Sequence, residues 1–253
     1  MSRAAEGRRA GWILAVLLGT IAPGMASAQG VEPEATAALD RMGAYLRTLK
    51  AFQVKAETSH EVVLENGLKA QFSSTTDLLA RLPDRLRADV AGDLSDRQYF
   101  YDGKEFTLLA ERLNYYATVA APPTIGALAS ALEERFDLEI PLVDLFRWGG
   151  PDGSRTPVTL AVDLGASAVD GTTCTHYAFR QEGLDWQIWI QRGDFPLPRR
   201  LVLTTTTDEA RPEFEATYEW DLAPSFNESA FVFEAPDGAH RIVLAEVPAT
   251  ESK

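Results

Sequence analysis

Hydrophobic residues change from a helical spacing to an alternating spacing soon after residue 50. Residues 33–50 predict a helix that begins at Pro33, because apolar side chains recur every three or four positions: Leu39, Met42, Leu46 and Leu49. From Phe52 onward, apolar and polar residues alternate, and this period of two predicts a strand with one polar face. The same alternation resumes after Asn66-Gly67, a dipeptide that favours a two-residue hairpin turn.

The rest of the chain consists mainly of short alternating runs between turn residues. They predict strands at 68–82, 86–90, 98–101, 104–109, 115–118, 158–164, 172–180, 184–191, 199–207 and 213–221. One helical insertion interrupts them: Thr124 can cap a helix that extends to Phe136, and Pro141 begins a second short helix. The pattern predicts one domain at 29–247, mainly β with α, in which a curved antiparallel sheet of about ten strands is covered by helices.

The N-terminus has the order of a secretory signal peptide. Three arginines precede an apolar run at 12–18, and Ala26-Ser27-Ala28 supplies small residues for cleavage. We therefore expect residues 1–28 to be removed and the mature protein to be periplasmic. No later segment approaches the 18 apolar residues of a membrane helix, so the mature chain is expected to contain no transmembrane segment. Residues 248–253 are expected to form a flexible tail.

Charge narrows the classes of partner. The chain has 24 basic and 37 acidic residues, a net charge of −13, and loss of three arginines and one glutamate with the leader leaves −15. Nucleic acid is excluded as a partner, since its binding depends on cations that neutralise phosphates. Cys174 is the only cysteine, so the chain can form no internal disulfide.

Sequence motifs of catalysis are largely missing. Residues 165–169 lack the second glycine of a serine nucleophile elbow, and His60-Glu61 is followed by leucine at position 64, where a zinc protease needs histidine. Cys174 and His176 share one face of a strand, a spacing open to a metal or thiolate pair but more typical of a half-buried pair in a sheet. We expect no enzyme activity, no cofactor and no metal site.

Four separated motifs resemble those of one bacterial family. They are Tyr101-Asp102-Gly103-Lys104, the segment 141–145, the hairpin from Trp189-Ile190 to Pro198-Arg199-Arg200, and FVFEAPDGAHRI at 231–242. The family consists of predicted periplasmic proteins of unassigned function. Its fold is similar to that of the outer-membrane lipoprotein carriers LolA and LolB, in which helices close a half-open antiparallel barrel. The resemblance implies a protein that holds acyl chains in a concavity, ferries lipids or senses envelope stress.

The apolar faces of the strands are the candidate binding site. Alternation would direct into the concavity the residues Phe52, Val54, Ala56, Ala70, Phe72, Leu78, Phe106, Trp186, Ile188, Phe214, Tyr218 and Trp220. At least half of them are expected to be ordinary core. Small residues on these faces, such as Ala56 and Ala70, favour open space. The prediction is a carrier of a lipid, an acyl chain or another apolar ligand; the alternative is a non-catalytic envelope interaction or stress-sensing module with a filled core and a protein partner.

Arg199 and Arg200 follow a turn stiffened by Pro196 and Pro198. Two interpretations are open. In the first, the prolines fix the turn and the arginines begin a strand, where they pair with acidic neighbours. In the second, the arginines lie at the mouth of the concavity and contact a lipid head group. The first is favoured.

Overall fold

The structure is a computed structural model that describes residues 30–148 and 156–247. Its first half contains helix α1 (Pro33–Leu46) and the strands β1 (Ala51–Val63), β2 (Lys69–Arg81), β3 (Arg85–Gly92), β4 (Asp96–Tyr101), β5 (Glu105–Ala110) and β6 (Tyr115–Ala120). Helices α2 (Ile125–Phe136) and α3 (Asp144–Arg147) come next. The last strands are β7 (Leu160–Val169), β8 (Thr172–Gln181), β9 (Leu184–Gln191), β10 (Pro198–Thr205), β11 (Glu213–Asp221) and β12 (His240–Arg241). The expected signal peptide and C-terminal tail lie outside the described residues.

The twelve described strands form one open, curved sheet in the order β12-β6-β5-β4-β3-β2-β1-β11-β10-β9-β8-β7. β1 lies in the middle, paired with β2 on one side and β11 on the other. All pairings are antiparallel except that of β12 with β6. The mainly-β prediction is confirmed, but the count of about ten strands is too low. β12 was missed because a strand of two residues shows no periodicity.

Alternation gives the sheet one apolar and one polar face. Val54 on β1 lies opposite Leu78 on β2 and Trp220 on β11. The neighbouring Lys55 projects from the other side, as do its cross-strand partners Asp77 and Glu219. We call these the apolar face and the polar face. The main core cluster includes Val54 and Leu78, and it lies on the apolar face.

The turn between β1 and β2 differs from the predicted two-residue turn. The Leu64 N–H donates to the Leu68 carbonyl across 2.9 Å, so the loop is longer than the Asn66-Gly67 dipeptide. Only Gly67 has a positive φ, at 80°. The Asn66 side chain accepts a hydrogen bond from the Leu68 N–H at 3.0 Å and so fixes the loop. The Asn66 backbone does not adopt the left-handed region. Asn66-Gly67 therefore marks the turn correctly but not its length.

Helices α1 and α2 largely follow their sequence signals. Pro33 occupies the first turn of α1, and the helix ends at Leu46, four residues before the predicted end. Thr124 caps α2 as predicted, and its hydroxyl accepts from the Ala127 N–H at 3.2 Å. α2 ends at Asp137, whose φ of 51° places it in the left-handed region that closes many helices.

Helix α3 is shorter than predicted. Pro141 does not begin it, because the next residue, Leu142, has a φ of 57°, which no α-helix permits. The helix begins at Asp144 and lasts one turn. A leucine in the left-handed region is uncommon and costs about 1 kcal/mol or more, so the packing of segment 139–145 must hold it there.

Each helix contributes buried residues to the core cluster on the apolar face. The Glu32 N–H, just before α1, donates to the Ala161 carbonyl of β7 at 3.0 Å. The Ile125 N–H at the start of α2 donates to the Pro83 carbonyl at 2.9 Å. Phe146 of α3 packs on Phe52 of β1. α3 also contacts both other helices, so the three form a connected group.

The segment after β11 packs on the polar face near the β6 edge. Phe233 lies against Phe100 and Tyr116, with ring centroids 5.4 and 4.9 Å away. Phe231 is 1% exposed, and Glu228 pairs with Arg81 at 3.1 Å. The motif at 231–242 thus anchors the end of the chain and leads into β12.

Candidate functional site: two apolar cavities

All twelve predicted lining residues lie on the apolar face, as the cross-strand register requires. Seven of them are buried in the core: Phe52, Val54, Ala56, Leu78, Phe106, Ile188 and Tyr218. The other five are half-buried: Ala70, Phe72, Trp186, Phe214 and Trp220. Three border a cavity on this face, namely Phe52, Phe214 and Tyr218. Contact with a ligand stays a prediction for the whole set.

The first cavity, about 400 Å³, lies between the sheet and segment 139–145. We call it the open cavity. Its apolar strand lining comprises Val90, Tyr99, Leu201, Leu203, Phe214 and Tyr218. Leu203 and Phe214 are only half-buried, so part of the apolar face has no protein partner here. Arg97, Glu139 and Asp144 also line this cavity, so its polar part carries both signs of charge.

The second cavity, about 490 Å³, is framed by the helices, and we call it the helix cavity. It is lined by Leu46, Arg47, Leu49, Lys50, Phe52, Leu82, Pro83, Thr124, Ile125, Gly126, Leu145 and Phe146. Leu145 of α3 borders both cavities and is 4% exposed. α3 therefore forms the wall at which the two cavities meet.

Two buried tyrosines on the apolar face, Tyr101 and Tyr218, are uncharged. The Tyr101 hydroxyl donates to the Pro122 carbonyl at 2.5 Å, and burial raises the pKa of Tyr101 to about 12. Burial also raises the pKa of Tyr218, and the nearby Asp144 carboxylate adds to the shift. Both phenols are neutral near pH 7, so they present hydroxyl groups and apolar rings.

A third depression, about 540 Å³, lies on the polar face. Its acidic lining comprises Glu57, Asp77, Asp89, Glu111, Asp170 and Glu219, and Lys55 is its only cation among the described residues. Several of these carboxylates already have partners; for example, the Gln53 amide donates to Asp77 at 2.6 Å. Within residues 30–148 and 156–247, no three potential ligands are arranged to hold a metal ion.

Arg199 and Arg200 project towards the polar face, away from both cavities. The Arg200 guanidinium lies 5.1 Å from the Trp189 ring centroid and pairs with Glu215 at 2.8 Å. Arg199 donates to the Gln191 side-chain oxygen at 2.6 and 2.9 Å. The structural interpretation is therefore correct for the strand and for the ion pair of Arg200, whereas Arg199 bonds to an amide and not to an acidic neighbour.

His176 also packs on the ring of Trp189, which Arg200 contacts. Its ring lies 3.8 Å from the Trp189 ring at an angle of 11°, and its Nε2 is 2.9 Å from the Gln187 side-chain oxygen. Burial lowers the pKa of His176. Cys174 is fully buried, and burial raises the pKa of its thiol. Both shifts favour neutral side chains packed in a sheet.

Sequence reasoning missed several residues that border the cavities. Val90 continues the apolar alternation of β3, so its pattern was visible. Arg47 and Lys50 fell inside the predicted helix and attracted no attention. Segment 139–145 was predicted only as a motif and as the start of a short helix at Pro141, not as a wall of a cavity. Its position opposite β10 and β11 depends on long-range packing that no local pattern encodes.

Comparison with known proteins identifies a family and a set of structural likenesses. The family model described as "Predicted periplasmic protein (DUF2092)" matches residues 35–245. An uncharacterized conserved protein from Thermus thermophilus is 11% identical, with a TM-score of 0.47, over 83% of this chain and 99% of that one. Lipoprotein LppX from Mycobacterium tuberculosis is 11% identical, with a TM-score of 0.45, over 78% and 100%.

A LolA superfamily protein from Nitrosomonas europaea is 9% identical, with a TM-score of 0.37, over 79% of this chain and 97% of that one. At such identities and TM-scores, these likenesses give no information about a ligand. No curated protein matches the chain. Among the described helices, none has the length and hydrophobicity needed to cross a membrane. The family expected from the four motifs is confirmed: the chain belongs to the DUF2092 family of predicted periplasmic proteins.

Proposed function

We propose that the protein binds an acyl chain, or another apolar ligand of similar shape, against the apolar face of its sheet. The observation that supports this function is the pair of cavities that meet at Leu145. In the open cavity, half-buried Leu203 and Phe214 face segment 139–145 across unfilled space. In this proposal the sheet acts as a half-open barrel and the helices act as its cover.

The size and lining of the cavities suit such a ligand. Volumes of about 400 and 490 Å³ fall within the roughly 300–1,000 Å³ of small-molecule sites. Each methylene transferred from water to an apolar site contributes about 0.8 kcal/mol, so a chain of moderate length needs few specific contacts. The proposed role is shielding and transport without chemical conversion.

The proposed place of action is the periplasm. The family description supports this location, and so does the leader that precedes residue 29. We expect cleavage after Ala28, which gives a mature protein that begins at Gln29. Intact-mass measurement of the exported protein tests this point; a retained leader would contradict it.

One observation favours the second candidate, an envelope interaction or stress-sensing module. Seven of the twelve predicted lining residues are buried in the core, among them Val54, Leu78 and Ile188 at 0% exposure. Most of the apolar face is thus filled by the protein itself. In this alternative the cavities are packing defects, and a protein partner binds the outer surface.

Native mass spectrometry of protein purified from the periplasm separates the two functions. A carrier is expected to retain a lipid-sized adduct, and solvent extraction should release an acyl compound. The control is the same protein unfolded in denaturant, stripped of lipid and refolded; it should lose the adduct and regain it on incubation with lipid. Protein that emerges without an adduct and rebinds no lipid would exclude the carrier function.

A further inference from the structure

We infer that the ligand is an anionic amphiphile whose carboxylate or phosphate is bound at the mouth of the helix cavity. This inference rests on the proposed function, because it names the class of ligand that the cavities would take. The inference is based on the positive charge around the helix cavity, which is opposite in sign to the net charge of the whole chain.

Cations, without carboxylates, line the helix cavity within the described residues. Arg47 and Lys50 are both exposed and both border it. The chain carries 37 acidic residues against 24 basic ones, and the depression on the polar face is mainly acidic. On an acidic protein, the positive mouth of the helix cavity favours binding of an anion. The apolar walls behind the mouth favour a hydrocarbon chain.

Backbone hydrogen bonds hold the Arg47 guanidinium and the main chain of Lys50. The Arg47 guanidinium donates to the Trp148 carbonyl at 3.2 Å, and no ion pair of Arg47 occurs within the described residues. The Lys50 carbonyl accepts from the Leu82 N–H at 2.8 Å, which ties the residue to the end of β2. The Lys50 ammonium likewise forms no ion pair within residues 30–148 and 156–247, so the described residues supply neither cation with a carboxylate partner.

The first turn of α2 adds to the positive potential. Thr124, Ile125 and Gly126 border the same cavity. The Ile125 N–H donates to the Pro83 carbonyl and the Ala127 N–H to the Thr124 hydroxyl, whereas the Gly126 N–H meets no acceptor in the described part of the chain. A helix N-terminus with an unsatisfied N–H attracts anions, and here it faces the same space as the two cations.

A displacement assay tests the inference. The mature protein is loaded with the uncharged dye N-phenyl-1-naphthylamine and titrated with dodecanoate, dodecyl phosphate or uncharged lauroylglycerol, each below its critical micelle concentration. We expect at least one anion to displace the dye at a concentration about tenfold lower than lauroylglycerol, equivalent to about 1.4 kcal/mol. Preference for carboxylate indicates a fatty acid, and preference for phosphate indicates a phospholipid derivative.

The double variant Arg47→Gln with Lys50→Gln should abolish this preference while lauroylglycerol binds as before. The control double variant, Lys55→Gln with Arg241→Gln, changes the net charge equally at exposed positions outside the helix cavity and should keep the preference. Thermal unfolding of each variant verifies the fold. Raised ionic strength should weaken the anion preference of the original protein.

Three outcomes would overturn the inference. Equal displacement by charged and uncharged ligands would leave the proposed function intact and remove the head-group site. A preference unaffected by the Arg47 and Lys50 substitutions, or abolished instead by Arg97→Gln, would place the anion elsewhere. Absence of saturable dye binding would overturn the proposed function itself, and the inference with it.

Discussion

Phe146 of α3 packs on Phe52 of β1, with ring centroids 5.9 Å apart and an interplanar angle of 30°. This contact joins the short helix to the central strand of the sheet, beside the wall that separates the two cavities. α3 consists of one turn and has little intrinsic stability, so its position depends on tertiary contacts of this kind.

Replacement of Phe146 by alanine should lower the free energy of unfolding by about 1–3 kcal/mol, since the ring is half-buried. Chemical denaturation measures the loss. Phe195→Ala is the matched control, because Phe195 is 50% exposed and has an edge contact with Tyr45. We expect a smaller loss for the control. Equal losses would mean that α3 is not anchored by this contact.

Leu145→Ala should join the two cavities into one. The substitution removes the shared wall, at a cost of about 2–4 kcal/mol for a buried leucine. Affinity should rise for hexadecanoate relative to dodecanoate, because a longer chain can then extend from one cavity into the other. Competitive dye displacement with both acids measures the ratio. An unchanged ratio would show that the cavities do not act together.

Arg200→Ala should affect stability but not ligand binding. The variant loses the stack on Trp189 and the ion pair with Glu215, and we expect a destabilisation of about 1–2 kcal/mol. Since Arg200 borders neither cavity, its replacement should leave dye affinity within about twofold. A large loss of affinity in a folded variant would revive the head-group interpretation of this residue.

His176 should make the protein less stable in mild acid. Burial lowers its pKa below the ordinary 6.5, so the unfolded chain binds a proton more readily than the folded one. The stabilising contribution is complete above pH 6.5 and is lost progressively as the pH falls from there towards the lower folded pKa. His176→Phe keeps an aromatic ring on Trp189 but cannot be protonated.

Urea unfolding at about pH 7 and pH 5 measures this effect. Stability should fall less between the two pH values in the variant than in the original protein. Other titrating groups are common to both proteins. The difference between the two proteins in how the free energy of unfolding changes with pH therefore isolates His176. An identical change of unfolding free energy with pH in both proteins would mean that protonation of His176 is not linked to folding.

Local patterns predicted most of the sheet. The alternation from Phe52 onward identified the central strand, and the spacing of the later runs identified its partners. Local chemistry was less informative about turns: Asn66-Gly67 marked the hairpin, but the side-chain hydrogen bond to the Leu68 N–H selected a longer loop. Pro141 suggested a helix start that the left-handed backbone of Leu142 excludes.

The site was predicted only in part, because alternation indicates on which face of the sheet a side chain lies but not how deeply it is buried. Ala56 was expected to border open space, yet it is 1% exposed and lies between Tyr218 and Thr76 on the adjoining strands. A phenylalanine there would overpack the core rather than block a ligand. Arg47, Lys50 and segment 139–145 border the cavities through long-range packing, which a single sequence does not reveal.

The proposed function requires that the cavities on the apolar face bind an apolar ligand. Val90 and Ala91 are neighbours on β3, and both border the acidic depression on the polar face, but only Val90 also borders the open cavity. A phenylalanine suits a strand at either position, so the two variants differ mainly in the face that gains bulk.

Fluorescence titration with N-phenyl-1-naphthylamine provides the most direct measurement. We expect saturable binding to the original protein and to Ala91→Phe, with affinity reduced about fivefold or more in Val90→Phe. Both variants should unfold cooperatively, which verifies that they are folded. Non-saturable binding, or equal affinity in the two variants, would contradict ligand binding in the open cavity.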